Sequence, residues 1–165
     1  CELDHPNIVK LIASYEDKHH LYMVSELCKG GDILHQLLSS NRPRHCYEED
    51  DAKLIVEQMC RAISYVHQNN ICHRDIKMDN WLFTGEDLEI KLIDFGLSKK
   101  YYNDHDHVRG MKQFLGTPGF VAPEIQRTRI GEMSAYGSEV DVWSIGVITF
   151  CLLSGKMPFK RKGRD

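Results

Sequence analysis

Apolar and polar positions change period along this chain, and the changes mark its elements. Residues 11–15 and 20–25 are rich in Leu, Ile, Tyr, Met and Val, and the polar turn Glu16-Asp17-Lys18 between them predicts a β-hairpin. Lys29-Gly30-Gly31 breaks that pattern. Asp32 then carries the side chain to cap a helix over 33–38, which Asn41-Arg42-Pro43-Arg44 ends. Over 48–69, Ile55, Met59, Ala62, Ile63 and Val66 recur three and four apart, the one-sided stripe of an amphipathic helix. Glu48, Glu49, Asp50 and Asp51 fall in its first turn, where carboxylates meet the positive end of the helix dipole, and they read as a solvated helix start. Asn69-Asn70 closes it.

Two short apolar runs, Trp81-Leu82-Phe83 and residues 89–93, flank the turn Thr84-Gly85-Glu86-Asp87 and predict a second pair of strands. From 97 to 120 periodicity is lost, and the stretch is polar, basic and His-rich. A loop that long in a compact domain is normally functional or disordered. Ser138-Glu139-Val140-Asp141 matches an S-x-x-D capping pattern ahead of an apolar helix reaching Leu153, with Gly155 and Pro158 as its stop. There is no internal repeat and no low-complexity tract.

Composition narrows the class without naming it. The 165 residues are 42% hydrophobic, enough for a packed core. A formal charge of −3 gives no electrostatic case for nucleic acid or an anionic membrane. The longest mostly apolar run, 142–153, contains Ser144, Gly146 and Thr149 and is too short to span a bilayer. No charged-then-apolar leader opens the chain, and an intracellular, cytoplasmic protein is expected. The first residue, Cys1, is not Met, so the start of the reading frame is expected to be missing. The six cysteines form no C-x-x-C pair, and His19-His20, His105-x-His107 and Cys72-His73 are the only clusters. Reduced, mostly buried thiols are expected rather than zinc or disulfides.

The chemistry is concentrated in His73-Arg74-Asp75-Ile76-Lys77-Met78-Asp79-Asn80, followed by Asp94-Phe95-Gly96 and, further on, Ala122-Pro123-Glu124. These spell H-R-D-x-K-x-x-N, D-F-G and A-P-E in that order. Transfer of a phosphoryl group needs a positioned hydroxyl, divalent metal against the phosphates, and cations where negative charge develops. Asp75 is the candidate to orient the hydroxyl and accept its proton, and Lys77 can supply a fixed positive charge. Asn80 and Asp94 offer the oxygen ligands that magnesium prefers.

With these motifs the chain resembles serine/threonine protein kinases, most of all the calcium/calmodulin-dependent and calcium-dependent group. Leu3-Asp4-His5-Pro6-Asn7-Ile8-Val9-Lys10-Leu11 resembles that family's turn into a strand, and Glu26-Leu27-Cys28-Lys29-Gly30-Gly31-Asp32 its hinge. Gly116-Thr117-Pro118 resembles its serine/threonine-type loop, and Asp141-Val142-Trp143-Ser144-Ile145-Gly146 its buried anchoring helix. The resemblance implies an α+β, two-lobed kinase fold, cut at both ends. Residues 1–25 would end the β-rich N-lobe, 26–32 form the hinge, and 33–165 give an incomplete helical C-lobe. It implies ATP as co-substrate with Mg2+, and protein substrates phosphorylated on Ser or Thr. Backbone groups of Glu26 and Cys28 would bond the adenine, Leu82 would pack beneath it, and Asp32 would lie near the ribose. Asp32 and Asp79 would favour basic residues near the target. Lys77 and Thr117 would favour Ser/Thr over Tyr acceptors. His73 and Phe95 would stack in a column with Leu11 above them, and Asp141 would hold the catalytic loop from below.

The chain also departs from the family. The Gly-rich loop, the ATP-binding lysine and its helix glutamate are missing, so these residues alone are expected to bind ATP poorly. Glu124 lacks the arginine that the family pairs with it. The family uses Arg74 to bind an activating phosphate or acidic residue, but three residues before Gly116, where that residue is usual, this chain has Gln113, and no Ser or Thr lies between Ser98 and Thr117. Asp104 or Asp106 could supply the anion, Tyr101 or Tyr102 could be modified, or Arg74 could face solvent. Activation is expected not to need Ser/Thr phosphorylation in this loop. A calcium-sensor module would lie outside the chain, since no D-x-D-x-D-G loop occurs in it. Rival readings are a pseudokinase-like interaction module and a nonfunctional gene fragment; an upstream Gly-rich loop and strand lysine would favour catalysis. Finally, Ser25 stands at the back of the implied nucleotide pocket, where larger residues are usual. The full-length enzyme is expected to be unusually sensitive to bulky purine-analogue inhibitors, and Ser25→Met to lose that sensitivity in dose–response assays.

Overall fold

The computed structural model describes residues 3–39, 46–85, 87–101 and 110–159. The stretch 41–44, the turn residue Glu86, and Tyr102, Asp104, His105, Asp106 and His107 lie outside these described residues, as does Cys1. The expected hairpin is present: β1 (Leu11–Glu16) pairs antiparallel with β2 (Leu21–Ser25). Asp17 shapes its turn by accepting the His19 and His20 N–H groups at 2.7 and 2.8 Å. The hairpin stands clear of the core, and Leu11 is 55% exposed.

After the hairpin, residues 29–31 run antiparallel beside β4 (Trp81–Phe83). Lys29 N donates to Thr84 O, Gly30 N to Phe83 O, and Phe83 N to Gly31 O. A Cβ at Gly30 would collide with Phe83 and with the Gly85 carbonyl, so this close approach requires glycine. Helix α1 (Ile33–Ser39) follows, with Asp32 Oδ1 accepting the His35 N–H at 2.7 Å as its cap.

The body is built on α2 (Glu49–Gln68) and α4 (Glu139–Ser154), which pack against each other. The predicted stripe of α2 (Ile55, Met59, Ala62, Ile63 and Val66) is wholly buried, facing Ile145, Ile148 and Leu152 of α4 in one core cluster. β5 (Ile90–Leu92) pairs antiparallel with β4. Gln58 on α2 joins three parts: its Oε1 accepts from Asn7 Nδ2 at 2.9 Å and Ile90 N at 3.0 Å, while its Nε2 donates to Leu88 O. Asn7 O in turn accepts from Leu92 N, so residues 7–9 extend the β4–β5 pair.

Several elements were not legible beforehand. β3 (Ile71–Cys72) pairs with β6 (Lys99–Lys100), so part of the aperiodic 97–120 stretch is strand. Met111 bridges Tyr136 within a second buried cluster of Cys72, Ala122, Ile125 and Val140. α3 (Pro123–Arg129) starts at Pro123, whose fixed φ suits a first helical turn. Among the described cysteines only Cys72 and Cys151 are buried; Cys28 and Cys46 are half-buried and Cys60 is exposed on α2, which corrects the expectation of mostly buried thiols. No described helix is long and apolar enough to cross a membrane.

The expected capping box before α4 does not form. Ser138 makes no side-chain cap bond. Asp141 is 1% exposed and its carboxylate is spent elsewhere: Oδ2 accepts the His73 N–H and Oδ1 the Arg74 N–H, both at 2.9 Å. His67 Nε2 lies 2.9 Å from Oδ2, and Cys72 Sγ donates to it at 3.3 Å. Burial pushes this carboxyl up, but the bonds from His67, His73 and Arg74 outweigh it and hold the group below its ordinary 3.8. Asp141 therefore adds stability above that ordinary value, and the contribution is lost as pH falls from there through the lower folded value. In urea unfolding of the full-length protein, Asp141→Ala is expected to cost about 3 kcal/mol or more, by leaving two buried N–H groups without an acceptor. The difference from wild type should shrink in acid.

Candidate active site

The loop joining β3 to β4 carries the chemical residues, and Asp141 fixes its shape. Arg74 has φ +68, a conformation that non-glycine residues adopt only under constraint. With the two consecutive N–H groups leading into that kink bound to one carboxylate, Asp75 is turned toward Thr117. The Thr117 hydroxyl donates to Asp75 Oδ1 at 2.7 Å, and Lys77 Nζ lies 2.9 Å from Oδ2. Asn80 Nδ2 donates to the Asp75 carbonyl at 2.9 Å. The structure thus brings Asp75, Lys77, Asn80 and Thr117 together by direct bonds.

The electrostatics follow from those contacts. Burial pushes the Asp75 carboxyl up, but the bonds from Lys77 and Thr117 outweigh it and leave it below its ordinary value. The Lys77 ammonium is pushed up by its bond to Asp75, with the charges of Asp79 and Asp94 adding to it. The pair is therefore ionised at neutral pH. His73 is fully buried; burial holds its ring below its ordinary value, and the ring meets Phe95 edge-on at 4.9 Å. The two rings thus stack as the resemblance implied.

Asp94 is exposed, with φ +60 and Oδ1 accepting the Gly96 N–H at 3.1 Å. Its neighbour Ile93 donates to Asn80 O at 2.9 Å, which sets the two candidate metal ligands side by side along the chain path. The Asn80 amide nitrogen is committed to Asp75, so its Oδ1 is the end left for a cation. Asp94 likewise retains Oδ2. Among the described residues no group of three or more His, Cys, Asp or Glu could hold a metal. Two oxygen donors without a cage fit magnesium, which completes its shell with phosphate oxygens and water.

The hinge residues occupy one edge of this region. Leu82 bridges Asp32, and no backbone hydrogen bond engages Cys28 or the Glu26 carbonyl among the described residues. Asp32 keeps one carboxylate oxygen beyond its cap. Asp79 is exposed in the 3-10 turn Met78–Asn80.

Arg74 does not face solvent. It is 8% exposed, its Nε donates to Leu97 O at 2.7 Å, and its Nη1 donates to Gln113 Oε1 at 3.1 Å. Tyr136 Oη donates to Gln113 O at 2.6 Å, so this one residue ties the 110–117 segment to both neighbours. Gly116 (φ +111) passes so close that a Cβ would lie 3.1 Å from Arg74 O. Glu124 sits in the first turn of α3, with no ion pair among the described residues. Sequence reasoning missed the roles of Tyr136 and Lys91; a lysine between the apolar residues of β5 was the available signal for the second.

The whole chain, residues 1–165, matches the model of the protein kinase domain. The chain belongs to the protein kinase family, and the described elements are those of part of its two-lobed α+β fold. It is 39% identical to calcium-dependent protein kinase 5 of Plasmodium falciparum, over 99% of this chain and 27% of that protein. Identity is 40% to calcium/calmodulin-dependent protein kinase type 1 of Macrobrachium nipponense, over 95% of this chain and 42% of that protein. It is 42% to calcium/calmodulin-dependent protein kinase type IV of Mus musculus, over 95% of this chain and 31% of the relative. The chain therefore spans less than half the length of these relatives.

Thr117→Val removes one of the two donors that keep Asp75 acidic. In the full-length protein the acid limb of the kcat/KM pH profile is expected to move to higher pH, whereas Thr117→Ser should leave it in place.

Proposed function

We propose that this chain is the central part of a catalytic unit that transfers the terminal phosphoryl group of ATP to Ser or Thr hydroxyls of proteins. The observation that carries the reading is the Asp75 carboxylate, bonded on one oxygen by Thr117 and on the other by Lys77. Asn80 Nδ2 also lies 3.5 Å from Oδ2, so Oδ1 is the oxygen with a lone pair to spare, and through it Asp75 can orient an incoming hydroxyl and take its proton as the oxygen attacks phosphorus. Lys77 is then the nearest cation to the phosphoryl group in transit. Magnesium, when bound, screens the phosphate charge, and Asn80 Oδ1 with Asp94 Oδ2 would hold it. Thr117 keeps the base ionised and aimed.

The hinge would take the adenine through the Glu26 carbonyl and the Cys28 backbone, with Leu82 below and Asp32 toward the ribose. The exposed Asp79 and the spare oxygen of Asp32 support a preference for substrates with Arg or Lys near the acceptor. Arg74 is satisfied by neutral oxygens, which supports activity without Ser/Thr phosphorylation of the loop. The relatives are named calcium-dependent or calcium/calmodulin-dependent kinases; calcium control of this protein would come from a segment outside these 165 residues.

With magnesium, ATP and a basic Ser-containing peptide, the full-length protein is expected to incorporate phosphate. Asp75→Asn should lower the rate by about 10²- to 10⁴-fold while nucleotide binding persists. Omitting magnesium should abolish transfer. A folded wild type that phosphorylates no hydroxyl, or an Asp75→Asn variant as fast as wild type, would refute the reading.

A further inference from the structure

We infer that Lys91 is a positioning residue for the nucleotide, acting through the carboxylate of Glu26; this rests on the ATP-dependent reading of the site. Lys91 lies in β5 between Ile90 and Leu92, both fully buried. Its side chain is only 15% exposed, and its Nζ lies 3.0 Å from Glu26 Oε1. The same oxygen accepts the Lys10 N–H at 2.7 Å, while the Glu26 N–H donates to Lys10 O at 3.0 Å. Burial pushes the Glu26 carboxyl up, but Lys10 and Lys91 outweigh it and keep the group an anion at neutral pH. One carboxylate thus fastens together the entry to β1, the hinge and β5.

The placement has a geometric consequence. Lys91 is the cross-strand partner of Leu82, so it rises on the face that would underlie the adenine. Two residues beyond β5 comes Asp94, which would hold metal at the phosphate end. The hinge backbone at Glu26 and Cys28 and the carboxylate of Asp94 must engage opposite ends of one nucleotide. The Glu26–Lys91 bond ties the segment that grips one end to the strand that delivers the other, and so sets the distance between them. Without the ammonium, Glu26 keeps Lys10, and through it the backbone bonds of residues 7–9 to β5, but loses its direct side-chain tie to the strand leading to Asp94. A lysine placed among buried aliphatic residues carries a desolvation cost that a purely structural strand would avoid.

The test uses the full-length protein and a fluorescent ATP analogue as the probe. Lys91→Met is expected to weaken analogue binding about threefold to tenfold and to raise the KM for ATP in parallel. The KM for peptide should stay within about twofold of wild type. Lys91→Arg should restore nucleotide affinity. Unchanged analogue binding in Lys91→Met would overturn the proposal, as would a loss shared equally between ATP and peptide, or a failure of arginine to rescue. A wild type that binds the analogue but phosphorylates nothing would refute the proposed function alone, and the binding arm would still decide the role of Lys91. A wild type that binds no nucleotide would refute both.

Discussion

One buried carboxylate organises this protein. Asp141 receives two consecutive backbone N–H groups, from His73 and Arg74, and so holds Arg74 in a left-handed conformation that its side chain would otherwise resist. A charge can be buried so completely only when it is well hydrogen-bonded, and His67 and Cys72 add further partners on Oδ2. The kink points the Arg74 side chain and that of Asp75 in different directions. Asp75 meets Lys77 and Thr117, while Arg74 reaches Leu97 and Gln113. Both halves of the site depend on the backbone between them being unable to relax.

Those halves solve the problem of buried charge differently. Asp75 is paired with an ammonium and a hydroxyl, which keeps it ionised and leaves a lone pair on Oδ1. Arg74 has no carboxylate partner among the described residues and is held by two neutral oxygens. A neutral hydrogen bond to a cation is weaker than an ion pair but needs no second desolvated charge. Gln113, further tethered by Tyr136, is thereby able to hold the 110–117 segment against the body, which keeps Thr117 within reach of Asp75.

Where periodicity was strong, the sequence and the structure agree. The stripe on α2, the β1–β2 hairpin and the Asp32 cap all stand close to where spacing put them, with boundaries moved by one or two residues. These are local patterns whose burial partner hardly matters: any apolar surface would take the Ile55–Met59–Ile63 stripe. β3 and β6 were invisible because two-residue strands have no period, and each exists only through pairing with a segment far along the chain. The capping pattern at Ser138–Asp141 misled for a related reason. A carboxylate three residues into a helix suits either the helix terminus or a distant donor, and two buried backbone N–H groups outcompete one exposed cap.

The amino-acid order by itself determined the chemistry on offer: an aspartate, a lysine and an asparagine at short fixed spacing, with a second aspartate and a threonine downstream. Chain connectivity keeps the first three within one loop whatever else happens. Tertiary structure alone decided that Thr117, forty-two residues from Asp75, would be one of its donors. It also decided which loop N–H groups Asp141, already implied by the family resemblance to hold that loop, would accept, and that Glu26 would be joined to Lys91. Each of these bonds links groups whose separation is set by the packing of helices and strands between them, and no local pattern encodes that distance.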